Sequence, residues 1–193
     1  EGNSNKAADS SGNGNEGTLK TGIKWVTGKS GSAAEFDGKN DYVSVDDSPD
    51  FNFTNFSVSY WVKVNLMPEN MVMVARWEHK PVKDQEWLID VTPTGNVSFK
   101  VNSTGDNAGS VGVRSQGTLT NGAWHHITAI YDSAAVNKQK LYIDGVLDNE
   151  APGAPSIHNG SGELIIGVHD PDTSLNRWFN GSIDDIRIYD SAL

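Results

Sequence analysis

Two stretches of this 193-residue chain concentrate side chains that can stack on a ligand or hydrogen-bond to it. One is Arg76-Trp77-Glu78-His79-Lys80, leading towards Trp87. The other is His169-Asp170-Pro171-Asp172-Thr173-Ser174-Leu175-Asn176-Arg177-Trp178. An indole offers a flat face to C–H surfaces, and guanidinium and imidazole supply planar donors for hydroxyls. Trp77 and Trp178 are therefore the stacking candidates, with Arg76, His79, His169 and Arg177 as hydrogen-bond donors. Both stretches interrupt clean strand alternation, and loops held by a rigid scaffold are where recognition groups are usually carried. Trp87 differs: it shares a strand face with Ile89 and Val91, so it is expected in the core.

Bond-breaking chemistry asks for other constellations. A retaining glycosidase needs two carboxylates about 5 Å apart, which on one strand means acids two residues apart. Asp170 and Asp172 flank Pro171 in a loop, and Asp184 and Asp185 are expected to face opposite ways. No Gly-x-Ser-x-Gly elbow occurs. His125 and His126 are strand neighbours, so they point apart and cannot share a metal. There is no cysteine, which removes disulfides, thiolate catalysis and Cys-ligated metals. The expectation is a domain without catalytic residues.

Asp184 is placed by alternation on the face of Ile186 and Ile188, where a carboxylate is costly unless paired or bound to a cation. The glycine-rich run Asp9–Gly17 is long enough to wrap over that end. A net charge of −10 suits oxygen-ligated cations and works against nucleic acid or an anionic membrane surface. No apolar run approaches the ~20 residues that span a bilayer. The start at Glu1-Gly2-Asn3, without Met, reads as an excised or processed fragment.

The elements that must position these groups are strands. Phe56, Val58, Tyr60, Val62 and Val64 alternate on one face of a long segment. Tyr42–Val45, Met71–Arg76, Trp87–Val91, Val97–Val101, Trp124–Asp132, Lys140–Ile143, Glu163–Gly167 and Ile183–Tyr189 continue the series. Turn chemistry separates them at Asp37-Gly38, Pro93-Thr94-Gly95 and Asp144-Gly145, the last a strong hairpin signal. No stretch has helical periodicity. Many short strands at turn-marked intervals predict an all-β, two-sheet antiparallel sandwich of jelly-roll type, one domain over 1–193, with residues 1–22 as an irregular arm packed on it. Trp61, Trp124 and Tyr142, lying within apolar strands, are expected to pack in the core.

Several of these segments resemble, in order, the laminin-G-like jelly-roll modules of the concanavalin A-like lectin/glucanase superfamily. The resemblance runs through Asp9–Gly17, Trp25 with Gly28-Lys29-Ser30-Gly31, and Phe36-Asp37-Gly38-Lys39-Asn40-Asp41-Tyr42-Val43. It continues in Phe56 to Lys63, Trp124-His125-His126-Ile127, Leu141-Tyr142-Ile143-Asp144-Gly145 and Phe179 to Asp190. It implies a secreted, non-catalytic carbohydrate-binding module that tethers a larger polysaccharide-active enzyme to a polysaccharide or oligosaccharide. It also implies a structural Ca²⁺ joining the arm to the last strand, carried over to Asp9 and Asp184, then Asn15 and Asp37. An adhesive, protein-binding module and an atypical glycan-active enzyme are the alternatives on the same fold. The glucanases of the superfamily carry a Glu-x-Asp-x-x-Glu strand, which this chain lacks.

Overall fold

A computed structural model describes residues 5–79, 83–172 and 177–193. Its strands in chain order are β1 (Lys6–Ala7), β2 (Gly17–Lys20), β3 (Lys24–Thr27), β4 (Ser32–Asp37), β5 (Tyr42–Val45), β6 (Phe56–Val64), β7 (Met71–Glu78) and β8 (Asp84–Val91). They continue with β9 (Val97–Gly105), β10 (Ser110–Arg114), β11 (Trp124–Tyr131), β12 (Gln139–Ile143), β13 (Val146–Ala151), β14 (Leu164–Ile166) and β15 (Asn180–Tyr189). One short 3₁₀ turn, Pro49–Phe51, is capped by the Ser48 side chain. Every strand pairing is antiparallel, in an eight-stranded sheet ordered β1-β2-β5-β14-β7-β8-β9-β10 and a seven-stranded sheet ordered β13-β12-β11-β6-β15-β4-β3. The two-sheet sandwich expected from the sequence is the fold.

Alternation decides what the sandwich encloses. Phe56, Val58, Tyr60, Val62 and Val64 are all buried, facing Met71, Met73, Trp87, Ile89, Val91, Phe99 and Val101 from the other sheet. Phe56 lies at the middle of an aromatic group, within 6 Å of the rings of Phe53, Trp87, Phe99 and Tyr131. Trp87 is in the core, as its face-mates predict. The Asp144-Gly145 hairpin forms with positive φ at both residues, 53° and 79°, the geometry that this dipeptide tolerates.

Three expectations are corrected. The arm over 1–22 is not irregular throughout: β1 and β2 add two strands to the edge of the eight-stranded sheet. Trp61, Trp124 and Tyr142 are not core residues. Odd positions of β6 face outwards, and Trp61 stands opposite His126, with Trp124 opposite Lys63 and Tyr142 opposite Thr128, all on the outer face of the seven-stranded sheet. Asp184 does not share the face of Ile186 and Ile188. A β-bulge interrupts the register between Asp184 and Arg187, with Asp185 at φ 50°, so Asp184 pairs with outward Trp61 while Ile188 pairs with inward Val58.

Candidate ligand-binding groove

The eight-stranded sheet carries a groove of about 290 Å³ on its outer face, lined by Trp77, His79, Leu88, Lys100, Asn107, Ser110 and Arg177. The strands explain the gathering. Ala75, Leu88, Lys100 and Gly112 form one cross-strand row over β7, β8, β9 and β10. Val72, Ala75, Trp77 and Leu88 make a small buried apolar cluster separate from the main core, and its Trp77 and Leu88 reach the groove. Gly112 leaves room for the Lys100 stem: a Cβ there would sit 2.9 Å from Lys100 Cγ. Beneath Lys100 lies Asp90, its side chain 1% exposed, with Oδ2 accepting from Lys100 Nζ at 3.1 Å.

One amide orders the polar wall. Gln85 Nε2 donates to Asn107 Oδ1 at 2.9 Å and to His79 Nδ1 at 3.1 Å. Gln85 Oε1 accepts from Asn102 Nδ2 at 3.4 Å, which fixes the orientation of the amide. The His79 backbone N–H donates to Asp170 Oδ2 at 2.8 Å, and the His79 ring meets His169 edge-on at 5.1 Å. Burial, only partly countered by Asp170, holds His79 below the ordinary imidazole range. His169 is itself buried, and burial together with its cationic neighbours pushes it down to about 4. Both imidazoles are therefore neutral at pH 7. Neither ring nitrogen of His169 finds a hydrogen-bond partner.

The six sequence-derived ligand candidates divide accordingly. Trp77, His79 and Arg177 meet at the groove, and His169 stands behind His79. Trp178 is half-buried against Tyr42, ring centroids 6.2 Å apart, and is not part of the lining. Arg76 is no ligand donor at all. It is wholly buried, its guanidinium held by Glu86 at 2.7 and 2.9 Å and by Asp47 at 3.0 Å, over the Phe51 ring. Burial opposes its charge, but Glu86 and Asp47 outweigh that and hold its pKa above the ordinary value. Lys80 and the run Thr173 to Asn176 lie outside the described residues. Lys100, Asn107 and Ser110 were missed in the sequence, although the outward parity of Lys100 between Phe99 and Val101 marks it.

The groove has an apolar floor of Trp77 and Leu88, donors along its wall and, among the described residues, no carboxylate in its lining. A family profile described as the Concanavalin A-like lectin/glucanases superfamily, of laminin G type, matches residues 37–193. The chain belongs to that superfamily. Among solved structures, it aligns with domain 4 of AbnA, an extracellular GH43 arabinanase from Geobacillus stearothermophilus, in complex with arabinotriose. That likeness has 26% identity and a TM-score of 0.72, over 96% of this chain and 87% of the other. The binding domain of botulinum neurotoxin serotype D aligns at 17% identity and TM-score 0.73. The binding domain of botulinum neurotoxin DC in complex with SialylT aligns at 13% identity and 0.71. Each toxin match covers 96% of this chain but 45% of the toxin domain, so the chain spans about half their length and the likeness is one of fold. A comparison with curated proteins found no match.

The cation ligands inferred from the superfamily do not converge. Asp9 accepts from the Ser11 N–H and hydroxyl and from the Asn15 N–H at 2.8–2.9 Å, and these donors lower its pKa. Asn15 Nδ2 turns instead to Asp50. Asp37 caps its own turn at the Lys39 N–H. Asp184 accepts from the Ser30 N–H at 2.8 Å across the β3–β4 turn. Asp37 pairs with Asn180, four residues along β15 from Asp184, which at about 3.3 Å per residue separates the two carboxylates widely. The three aspartates act as separate turn acceptors, Asn15 is a donor, and the four residues do not fit one Ca²⁺ centre. Among the described residues, no group of three or more His, Cys, Asp or Glu could hold a metal.

Proposed function

We propose that this domain is a non-catalytic carbohydrate-binding module that keeps a larger secreted, polysaccharide-active protein on its glycan. The observation that carries the reading is the convergence of Trp77, His79 and Arg177 with Lys100, Asn107 and Ser110 in one groove on a rigid sheet. Sugar rings present apolar C–H faces and a fringe of hydroxyls, and a small apolar floor of Trp77 and Leu88 with planar polar walls answers both. The likeness to an arabinanase domain solved with arabinotriose supports the same class of ligand. The described lining residues include no carboxylate, so they supply neither the acid nor the nucleophile of glycoside hydrolysis. A module of this kind acts by raising the effective concentration of an attached active site at its polymer.

The test is retention on a panel of insoluble and gel-embedded polysaccharides, arabinan included, followed by titration calorimetry on the one retained. Asn107→Ala is expected to weaken binding about tenfold with the melting temperature held, since its side chain is exposed. Absence of retention on every polysaccharide, or full affinity in Asn107→Ala and Ser110→Ala alike, would move function off this groove. Sugar release by the wild-type domain would overturn the non-catalytic reading.

A further inference from the structure

If the groove binds glycan, its lining also says which chemical kind. The chain carries a net charge of −10, yet among the described residues none of the groove's lining side chains is acidic. Each polar group whose orientation is fixed offers a donor. Asn107 Oδ1 is occupied by Gln85, which leaves the Asn107 amide hydrogens free. His79 Nδ1 accepts from Gln85, so in the neutral ring Nε2 carries the proton. Lys100 has its counter-charge in Asp90 beneath it. Arg177 differs: its carbonyl accepts from the Val72 N–H, but among the described residues its guanidinium has no hydrogen bond or ion pair. A neutral sugar can accept at its hydroxyls and ring oxygen, but it offers no charge to answer the Arg177 guanidinium. A charged donor without a partner beside neutral donors calls for an anion.

We propose that the groove selects acidic oligosaccharides, with the Arg177 guanidinium receiving the carboxylate of a hexuronate and His79, Asn107 and Ser110 binding the oxygens beside it. A carboxylate fits better than a point anion because the guanidinium presents two parallel N–H groups in a plane. The proposal rests on the reading of the groove as a glycan site and narrows its ligand. It also reverses what the acidic average of the chain suggests, because a local field is set by the groups that face the ligand.

The experiment titrates the full chain with trigalacturonate and with a glucuronate-bearing xylo-oligosaccharide, each against its carboxyl-reduced counterpart. At least one acid is expected to bind ten or more times tighter than its reduced partner. Arg177→Gln is expected to bring that ratio close to one. Arg177→Lys keeps the charge and loses the planar fork, so it is expected to retain no more than a third of the ratio, and it serves if the Gln variant folds poorly. Equal binding of both acid–reduced pairs, or an unchanged ratio in the Arg177 variants, overturns the acidic-glycan inference and leaves the carbohydrate-binding reading standing. A sulfated oligosaccharide bound as tightly as the uronates overturns the carboxylate assignment. No binding of any sugar, acidic, reduced or polymeric, brings down both.

Discussion

The two sheets both place tryptophan beside cations on their outer faces, but they do so in opposite ways. On the seven-stranded sheet, Lys29 Nζ sits 4.5 Å from the centre of the Trp61 ring and Lys63 Nζ 5.3 Å from that of Trp124, while His126 packs edge-on against Trp61. Those indole faces are already occupied by the protein's own side chains, in contacts worth about 0.5–1 kcal/mol each at exposed sites. On the eight-stranded sheet, Lys100 is turned down to Asp90, Arg177 is uncommitted, and Trp77 is buried against Val72, Ala75 and Leu88 with no cation over its ring among the described residues. Aromatic and basic composition alone does not distinguish a binding surface from a self-satisfied one. What distinguishes them is whether the charged donors already have partners.

The strongest way to sharpen this contrast is to set a committed arginine against an uncommitted one. Arg76→Met leaves Glu86 buried without its counter-charge and is expected to cost about 3–5 kcal/mol. Arg177→Met is expected to stay within about 0.5 kcal/mol, as surface changes without partners do. Urea unfolding of the two variants reads the difference directly, and similar losses would mean that Arg177 has a structural role.

The next effect tests the buried imidazole behind the groove. A base held down to about 4 when folded, against 6.5 for a free imidazole, binds its proton more readily in the unfolded chain. Its contribution to stability is therefore full above pH 6.5, falls as pH drops through the window from 6.5 to 4, and over that span amounts to at most about 3 kcal/mol. Wild-type stability should drop more steeply across this window than that of His169→Gln, measured by chemical denaturation at fixed pH values. Parallel curves would show that His169 titrates normally.

Smaller effects address the face of the seven-stranded sheet. Trp61→Ala is expected to leave glycan retention within a factor of two, where Asn107→Ala loses about a factor of ten, or ~1.4 kcal/mol. Loss of retention in Trp61→Ala would erase the distinction between the faces. Lys29→Met should lower stability by only ~0.5–1 kcal/mol, and the quenching of Trp61 fluorescence should change with it. No change in either would mean that the lysine does not cover the ring.

How much of this was legible in the sequence follows the strands' regularity. The sandwich was, because alternation in Phe56–Val64 and Trp87–Val91 and the turn at Asp144-Gly145 all point to one arrangement. The errors sit at irregularities. In β7 the register shifts between Val72 and Val74, so a count of two started at inward Met71 puts Arg76 outside and Trp77 inside, the reverse of their actual faces. The bulge at Asp185 likewise put Asp184 on the face opposite to the one that Ile186 and Ile188 imply. Trp61 departs from expectation for a different reason: its inward neighbours Tyr60 and Val62 mark it as outward by parity, whereas its large apolar ring points to the core. Lys100 and Asn107 come from a strand and a turn separated in sequence from Trp77, and only the β8–β9 pairing brings them to it.

The strand order has a kinetic consequence. In the seven-stranded sheet β15, residues 180–189, lies between β6 and β4, so the strand made after all the others fills a central slot. Until it arrives, β4 and β6 each present an unpaired edge, and pairing partners more than a hundred residues apart must find one another to close it. Folding should therefore be slow, and a nascent chain stopped before residue 180 would expose two open strand edges to whatever lies nearby.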